Sequence, residues 1–124
     1  MDNKQDYCPT LSMMHVLGKK WTIPIIEIFD STKKHIKFNA MQAILGGISP
    51  KNLSRSLKEL SDAELIEKHE KKENGILHTE YYLTAKGLML KKFILDAKKL
   101  GICIYGVDSS CVNRKCSVCI STGQ

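Results

Sequence analysis

Apolar residues recur along this chain at helical spacing in five places and at strand spacing in one. Leu11 to Leu17 has helical spacing, with Thr10 as its cap and Gly18 as its stop. The next segment, Trp21 to Phe29, is apolar enough to be buried. Pro24 is tolerable there only in a first turn, which predicts a core helix starting near Thr22. Asp30 to Lys37 is polar, lysine-rich and without periodicity, the mark of a connection. Asn39 to Leu45 predicts a short helix with Met41, Ile44 and Leu45 on its apolar side, and Gly46-Gly47 then supplies a tight turn. Ser49 followed by Pro50 combines a cap with a first-turn proline, and Leu53, Leu57 and Leu60 carry that helix on to about Asp62.

Short helix, glycine turn, capped helix is helix-turn-helix organisation. After Leu65-Ile66 the pattern changes. Glu67 to Lys72 is polar with strand-compatible alternation, Asn74-Gly75 is a favoured two-residue hairpin turn, and Ile76 to Leu83 is the return arm. A hairpin directly behind a recognition-type helix is a wing. Thr84 caps a last long helix, Ala85 to Leu100. Its Leu88, Met89, Leu90, Phe93, Ile94, Leu95, Ala97 and Leu100 cover more surface than an ordinary amphipathic helix buries, so part of it is expected to meet a second subunit. The expected fold is mainly α with a small β-wing, a winged helix-turn-helix with terminal dimerisation helices. Its parts are an arm and first helix over 1–18, the DNA-binding domain over 19–87, and a dimerisation helix with a cysteine-containing tail over 88–124.

The helix from Ser49 to Asp62 has two opposite faces. Side chains three, four or seven positions apart share one side of a helix, which groups Lys51 with Arg55 and Lys58, and Leu53 with Leu57 and Leu60. The two groups are offset by two positions, a little over half a turn, so three cations face away from three leucines. Through Lys58 the helix carries no acid, so its N-terminal end is positive through both side chains and helix dipole. Docking in the major groove needs this arrangement: an apolar face held on the domain, and an opposite face whose early residues reach bases and phosphates. Arg55 has the planar fork that pairs with guanine, and Asn52 can pair with adenine. Ser49, Lys51 and Lys58 suit phosphates. Taken alone, such a face is equally the solvated side of a core helix; the Gly-Gly turn before it and the Asn-Gly wing after it favour DNA.

Composition agrees with one packed domain. The chain has 124 residues, 43% hydrophobic and 26% charged, enough for a single core. Its net charge of +6 favours a polyanionic partner. The excess is concentrated in residues 1–60, with nine cations against five acids, rather than in 61–124, with ten against eight. No apolar run reaches membrane-spanning length and the polar, acidic N-terminus is unlike a signal peptide, so the expected location is cytoplasmic, with no membrane partner. An enzyme is not expected: there is no glycine-rich phosphate loop, no Ser/His/Asp arrangement and no paired carboxylates. The rival from another class is a winged-helix protein-interaction module that does not bind DNA, which would have no need of Lys51, Arg55 and Lys58 together.

Several motifs, in order and with plausible spacing over roughly Cys8 to Leu100, resemble the HxlR-type transcriptional regulators, a branch of the winged-helix regulators that includes MarR. They are Cys8-Pro9, Gly18-Lys19-Lys20-Trp21-Thr22, Lys37-Phe38-Asn39, Gly47-Ile48-Ser49, Lys51, Leu53-Ser54, Leu57-Lys58-Glu59-Leu60, Leu65-Ile66, Glu80-Tyr81-Tyr82-Leu83-Thr84 and Gly87. The resemblance implies a homodimer on a pseudo-palindromic operator of double-stranded DNA, paired through its terminal helices, with Lys37 and Asn39 near the DNA backbone and Lys71-Lys72 on the wing. The chain departs from the family in three places. Glu64 stands where glycine is usual, Pro24 interrupts a helix that is usually aliphatic, and the tail after Gly101 lies outside the family pattern.

The five cysteines, in a cytoplasmic setting, point to free thiols, metal ligation or redox sensing before structural disulfides. Cys8 occupies the place of an N-terminal cysteine through which the resemblance implies sensing of oxidants or electrophiles by the thiolate. Lys19-Lys20 would activate it only if the fold brings them close. The alternative is a small buried hydrophobe at the dimer edge. Cys111, Cys116 and Cys119 have the spacing C-x4-C-x2-C, and Cys103 would complete four thiolates for zinc or an iron-sulfur cluster; a disulfide or an inert tail is equally compatible. No cofactor is fixed by the residues, and His15, His35, His69 and His78 show no ligand pairing.

Overall fold

In a computed structural model the described residues are 8–30 and 34–106. They form α1 (Pro9–Leu17), α2 (Thr22–Ile28), β1 (His35–Lys37), α3 (Phe38–Leu45), α4 (Pro50–Asp62), β2 (Ile66–Glu73), β3 (Ile76–Leu83) and α5 (Ala85–Tyr105). The three strands make one antiparallel sheet in the order β1-β3-β2. This is a winged helix: a helical core with a hairpin wing.

The core is built by α2, α3, α4, the sheet and two positions of α5. Ile25, Ile26, Ile28, Phe29, Met41, Leu45, Leu53, Leu57, Leu60, Ile66 and Ile94 are sealed from solvent. Pro24 falls within the first turn of α2, where its missing N–H has no intrahelical acceptor to leave empty. A buried ion pair ties α2 to α5: Lys98 Nζ lies 2.5 Å from Glu27 Oε2, and both side chains are only 10% exposed.

Three elements differ from the expectation. Residues 35–37 of the supposed connection are an edge strand, with Ile36 buried against β3 opposite Tyr81. A three-residue strand shows a single in-out alternation, too little to register as a period. The first helix begins at Pro9 and not after Thr10, with proline in its first turn. The last helix does not stop at Leu100. It runs through Gly101 to Tyr105 and ends at Gly106, whose φ of 66° is the left-handed cap that the earlier glycine does not provide. Cys103 therefore sits on a helix surface and not in a tail.

The turn after α4 explains how Glu64 replaces glycine. Leu65 N–H donates to Leu60 O and Glu64 N–H to Ser61 O, both at 3.0 Å, which is a Schellman ending with Glu64 in the left-handed position at φ 63°. Lys86 Nζ meets the Glu64 carboxylate at 2.9 Å, and Thr84 Oγ1 donates to Glu64 O at 2.7 Å. Both contacts come from the start of α5 and hold the strained residue in place.

Candidate nucleic-acid interface

Helix α4 is made and presented as its sequence predicts. Ser49 is the N-cap, its hydroxyl accepting from Asn52 N–H at 3.1 Å, and Pro50 opens the helix. Leu53, Leu57 and Leu60 are 0%, 1% and 1% exposed, whereas Ser49, Lys51, Ser54, Arg55 and Lys58 lie on the exposed side and Asn52 is half-buried. Gly46 and Gly47 take φ of 44° and 80° to turn the chain into that cap. The turn also fixes where the positive end of α4 emerges.

Two of the charged groups are already paired. Lys58 Nζ is 3.2 Å from Asp62 Oδ2 one turn on, an exposed pair worth little and readily given up to a phosphate. Arg55 Nη2 donates to Asn52 Oδ1 at 2.7 Å. Glu59, the acid of this helix nearest Lys58 in sequence, turns aside to bind Lys19 from the α1–α2 turn.

The wing rises beside α4 on a two-residue turn in which Asn74 and Gly75 both take positive φ, 52° and 78°. Between the wing and α3 and α4 lies a cleft of about 410 Å³ lined by Lys37, Asn39, Ser54, Lys68, His78 and Tyr81, among others. The structure thus brings Lys37 and Asn39, at the start of α3, together with α4 and the wing. Burial, and secondarily the charge of Glu70, push the Tyr81 phenol above its usual range, so it meets this cleft as a neutral hydroxyl.

Lys71 and Lys72 are both on the wing but on opposite faces, since side chains alternate along a strand. Lys72 pairs across the ladder with Leu77, which lines the cleft. Lys71 is turned to the other face, where its Nζ is 3.6 Å from Glu80 Oε1; the other oxygen of Glu80 is 3.3 Å from His35 Nε2. Lys68, four residues closer to the base of the wing, shares the face of Lys72 and lines both the cleft and the adjoining hollow with Ser54 and Lys58. Sequence reasoning missed it. Its alternation with the buried Ile66 was the available signal: Ile66 faces the core, so Lys68 and Lys72 must share that face.

Cys8 is a half-buried free thiol at the N-cap of α1. Lys19 and Lys20 are not beside it, because the nine residues of α1 put about 14 Å of helix between them. Among the described residues no three His, Cys, Asp or Glu converge as a metal site. Cys111, Cys116 and Cys119 lie outside the described residues. No helix among the described residues is long and apolar enough to cross a membrane.

A helix-turn-helix whose second helix exposes its cations, backed by a hairpin wing, is the architecture of the winged-helix class. The chain belongs to the HxlR-like helix-turn-helix family, whose family model matches residues 16–105. Solved structures carry the likeness into three dimensions. A MarR-family transcriptional regulator from Porphyromonas gingivalis W83 is 28% identical, covering 82% of this chain and 97% of that one with a TM-score of 0.67. The reduced form of the transcriptional regulator YodB from B. subtilis is 28% identical, covering 77% of this chain and 92% of that one with a TM-score of 0.68. YodB is also known diamide-treated and quinone-bound. A possible HxlR-family transcriptional factor from Thermoplasma volcanium GSS1 is 29% identical, covering 82% of this chain and 88% of that one with a TM-score of 0.62. No curated protein sequence matches the chain.

Proposed function

We propose that the chain is a sequence-specific DNA-binding regulator, acting in the cytoplasm as a homodimer on a pseudo-palindromic operator, with Cys8 as the point at which oxidants or electrophiles control it. The observation that carries the reading is the division of α4 into a sealed leucine face and an opposite face, free of acid through Lys58, that bears Lys51, Arg55 and Lys58. In the major groove the early part of α4 presents Arg55, with Asn52 beside it, to base edges. Ser49, Lys51 and Lys58 hold flanking phosphates, as do Lys37 and Asn39 at α3 and Lys72 on the wing, whereas Lys71, paired with Glu80 on the wing's other face, stays outside that set.

Dimerisation is supported by the apolar surface left outside the core. Leu11, Met13 and Met14 of α1 and Leu88, Met89, Phe93, Leu95, Leu100 and Ile104 of α5 are all exposed, more than a lone soluble domain ordinarily leaves on neighbouring helices. Pairing there would set the spacing of the two α4 helices, and half-sites one helical turn apart follow from the two-fold geometry. Control through Cys8 is supported by its position at the head of α1 as a half-buried free thiol, and by the likeness to YodB, known reduced, diamide-treated and quinone-bound.

The test is selection of binding sites from a duplex library randomised over about two helical turns. Wild type should enrich an inverted repeat, Arg55→Ala should change the base preferred at one position of each half-site, and Lys58→Ala should weaken all sequences alike. A wild-type protein that enriches no sequence overturns the proposal.

A further inference from the structure

The hydrogen bond from Arg55 Nη2 to Asn52 Oδ1, 2.7 Å long on the exposed side of α4, separates two side chains that sequence alone treats as equivalent base readers. Pairing with adenine requires both ends of an asparagine amide: the oxygen accepts from the adenine amino group while the nitrogen donates to N7. Here the oxygen is turned toward the guanidinium, which takes one of its two lone pairs and orients the amide toward Arg55. Arg55, with five N–H donors in a planar fork, gives up one and keeps a pair for guanine O6 and N7.

We propose that Asn52 is a positioning residue for Arg55, and that the pair reads guanine as a unit in which Asn52 makes no adenine contact of its own. The proposal rests on the DNA-binding reading above and specifies how its base-reading end works. Asn52 is suited to that role because its own backbone is fixed. Its N–H is held by the Ser49 hydroxyl at 3.1 Å, and it lies in the first turn of a helix whose next residue, Leu53, is sealed in the core. The half-buried amide is therefore a stationary acceptor one turn below a long and flexible side chain. Holding the guanidinium before DNA arrives removes part of the ordering cost that an arginine otherwise incurs on binding, and it fixes the plane in which the fork must meet a base. The remaining N–H₂ of Asn52 is left to donate to a phosphate.

The experiment compares wild type with Asn52→Ala, Asn52→Asp and Arg55→Ala in the same randomised-duplex selection, read as the ratio of guanine to other bases at each position. Melting temperatures are measured alongside to show that each variant is folded. Wild type is expected to prefer guanine at one position per half-site, and Arg55→Ala to lose that preference. Asn52→Ala should lower it by about tenfold, within the discrimination that a bidentate arginine provides. Asn52→Asp keeps an acceptor for the guanidinium, so it should retain the guanine ratio even where the added negative charge weakens binding to every duplex. A guanine ratio left intact by Asn52→Ala overturns the positioning role. So does an adenine preference at a second position that disappears with Asn52→Ala while guanine stays. If wild type enriches no motif at all, it is the DNA-binding reading that fails, and this role falls with it.

Discussion

Gly87 offers a test in which two physical effects have opposite signs. It is the third residue of α5, a position where alanine normally strengthens a helix by about 1 kcal/mol relative to glycine. A Cβ built there would lie 2.2 Å from Leu65 O and 2.5 Å from Leu83 Cδ1. Ordinary contact begins about 1 Å further out, so the start of α5 would have to withdraw. The struck oxygen is not a free end: Leu65 O accepts the Thr84 N–H at 3.1 Å, and Thr84 Oγ1 in turn accepts from Gly87 N–H at 3.0 Å. Withdrawal strains both bonds, each worth about 1 kcal/mol, and adds an overpacking cost of about 1–3 kcal/mol. Against the helix-propensity gain the balance for Gly87→Ala is a loss of about 2–4 kcal/mol. At a fixed protein concentration that should lower the midpoint of thermal unfolding by about 10 °C, read by circular dichroism. A midpoint equal to or above wild type would mean that the α5 start is not clamped between Leu65 and Leu83, and the reasoning would fail.

Other substitutions probe separate parts of the molecule. Glu64→Gly should stabilise by about 0.5–1 kcal/mol in urea unfolding, because glycine accepts the left-handed backbone without the steric cost of a Cβ. Glu27→Ala should cost about 1.5–3 kcal/mol, the worth of a hydrogen bond to a charged group, by removing the carboxylate that Lys98 meets at 10% side-chain exposure, and Glu27→Leu combined with Lys98→Met should restore most of it. Leu57→Ala should lose about 2–5 kcal/mol from the core, with DNA affinity falling only where the domain unfolds. Cys8→Ser should keep operator binding and become insensitive to diamide, in a gel-shift titration where the wild-type protein should release its duplex.

What the sequence made legible was local chemistry. Ser49-Pro50 announced α4, the leucine spacing set its buried face, and Asn74-Gly75 announced the wing, each through a cap, a period or a turn contained within a few residues. β1 was missed because its strand character depends on β3, more than forty residues further along the chain. The end of α5 was misplaced because two glycines, Gly101 and Gly106, compete for the same stop, and backbone conformation alone separates them. The links that assemble the domain could not be read at all. Lys19 with Glu59, Glu27 with Lys98 and Gly87 with Leu65 join residues far apart in the chain, and nothing in the spacing of either partner announces the other. Within the site, helical period placed Asn52 and Arg55 near one another but could not show that one side chain holds the other.

The central claim, that the cationic face of α4 and its flanking lysines grip a DNA backbone, is tested most directly by the salt dependence of binding to a selected duplex. On the proposed reading Lys37, Lys51, Lys58 and Lys72 in each of two protomers would supply about eight phosphate contacts, so the logarithm of the affinity should fall against the logarithm of salt concentration with a slope of about −7. That corresponds to about four orders of magnitude between about 50 and 200 mM salt. A slope near zero, or no duplex binding at low salt, would contradict that claim.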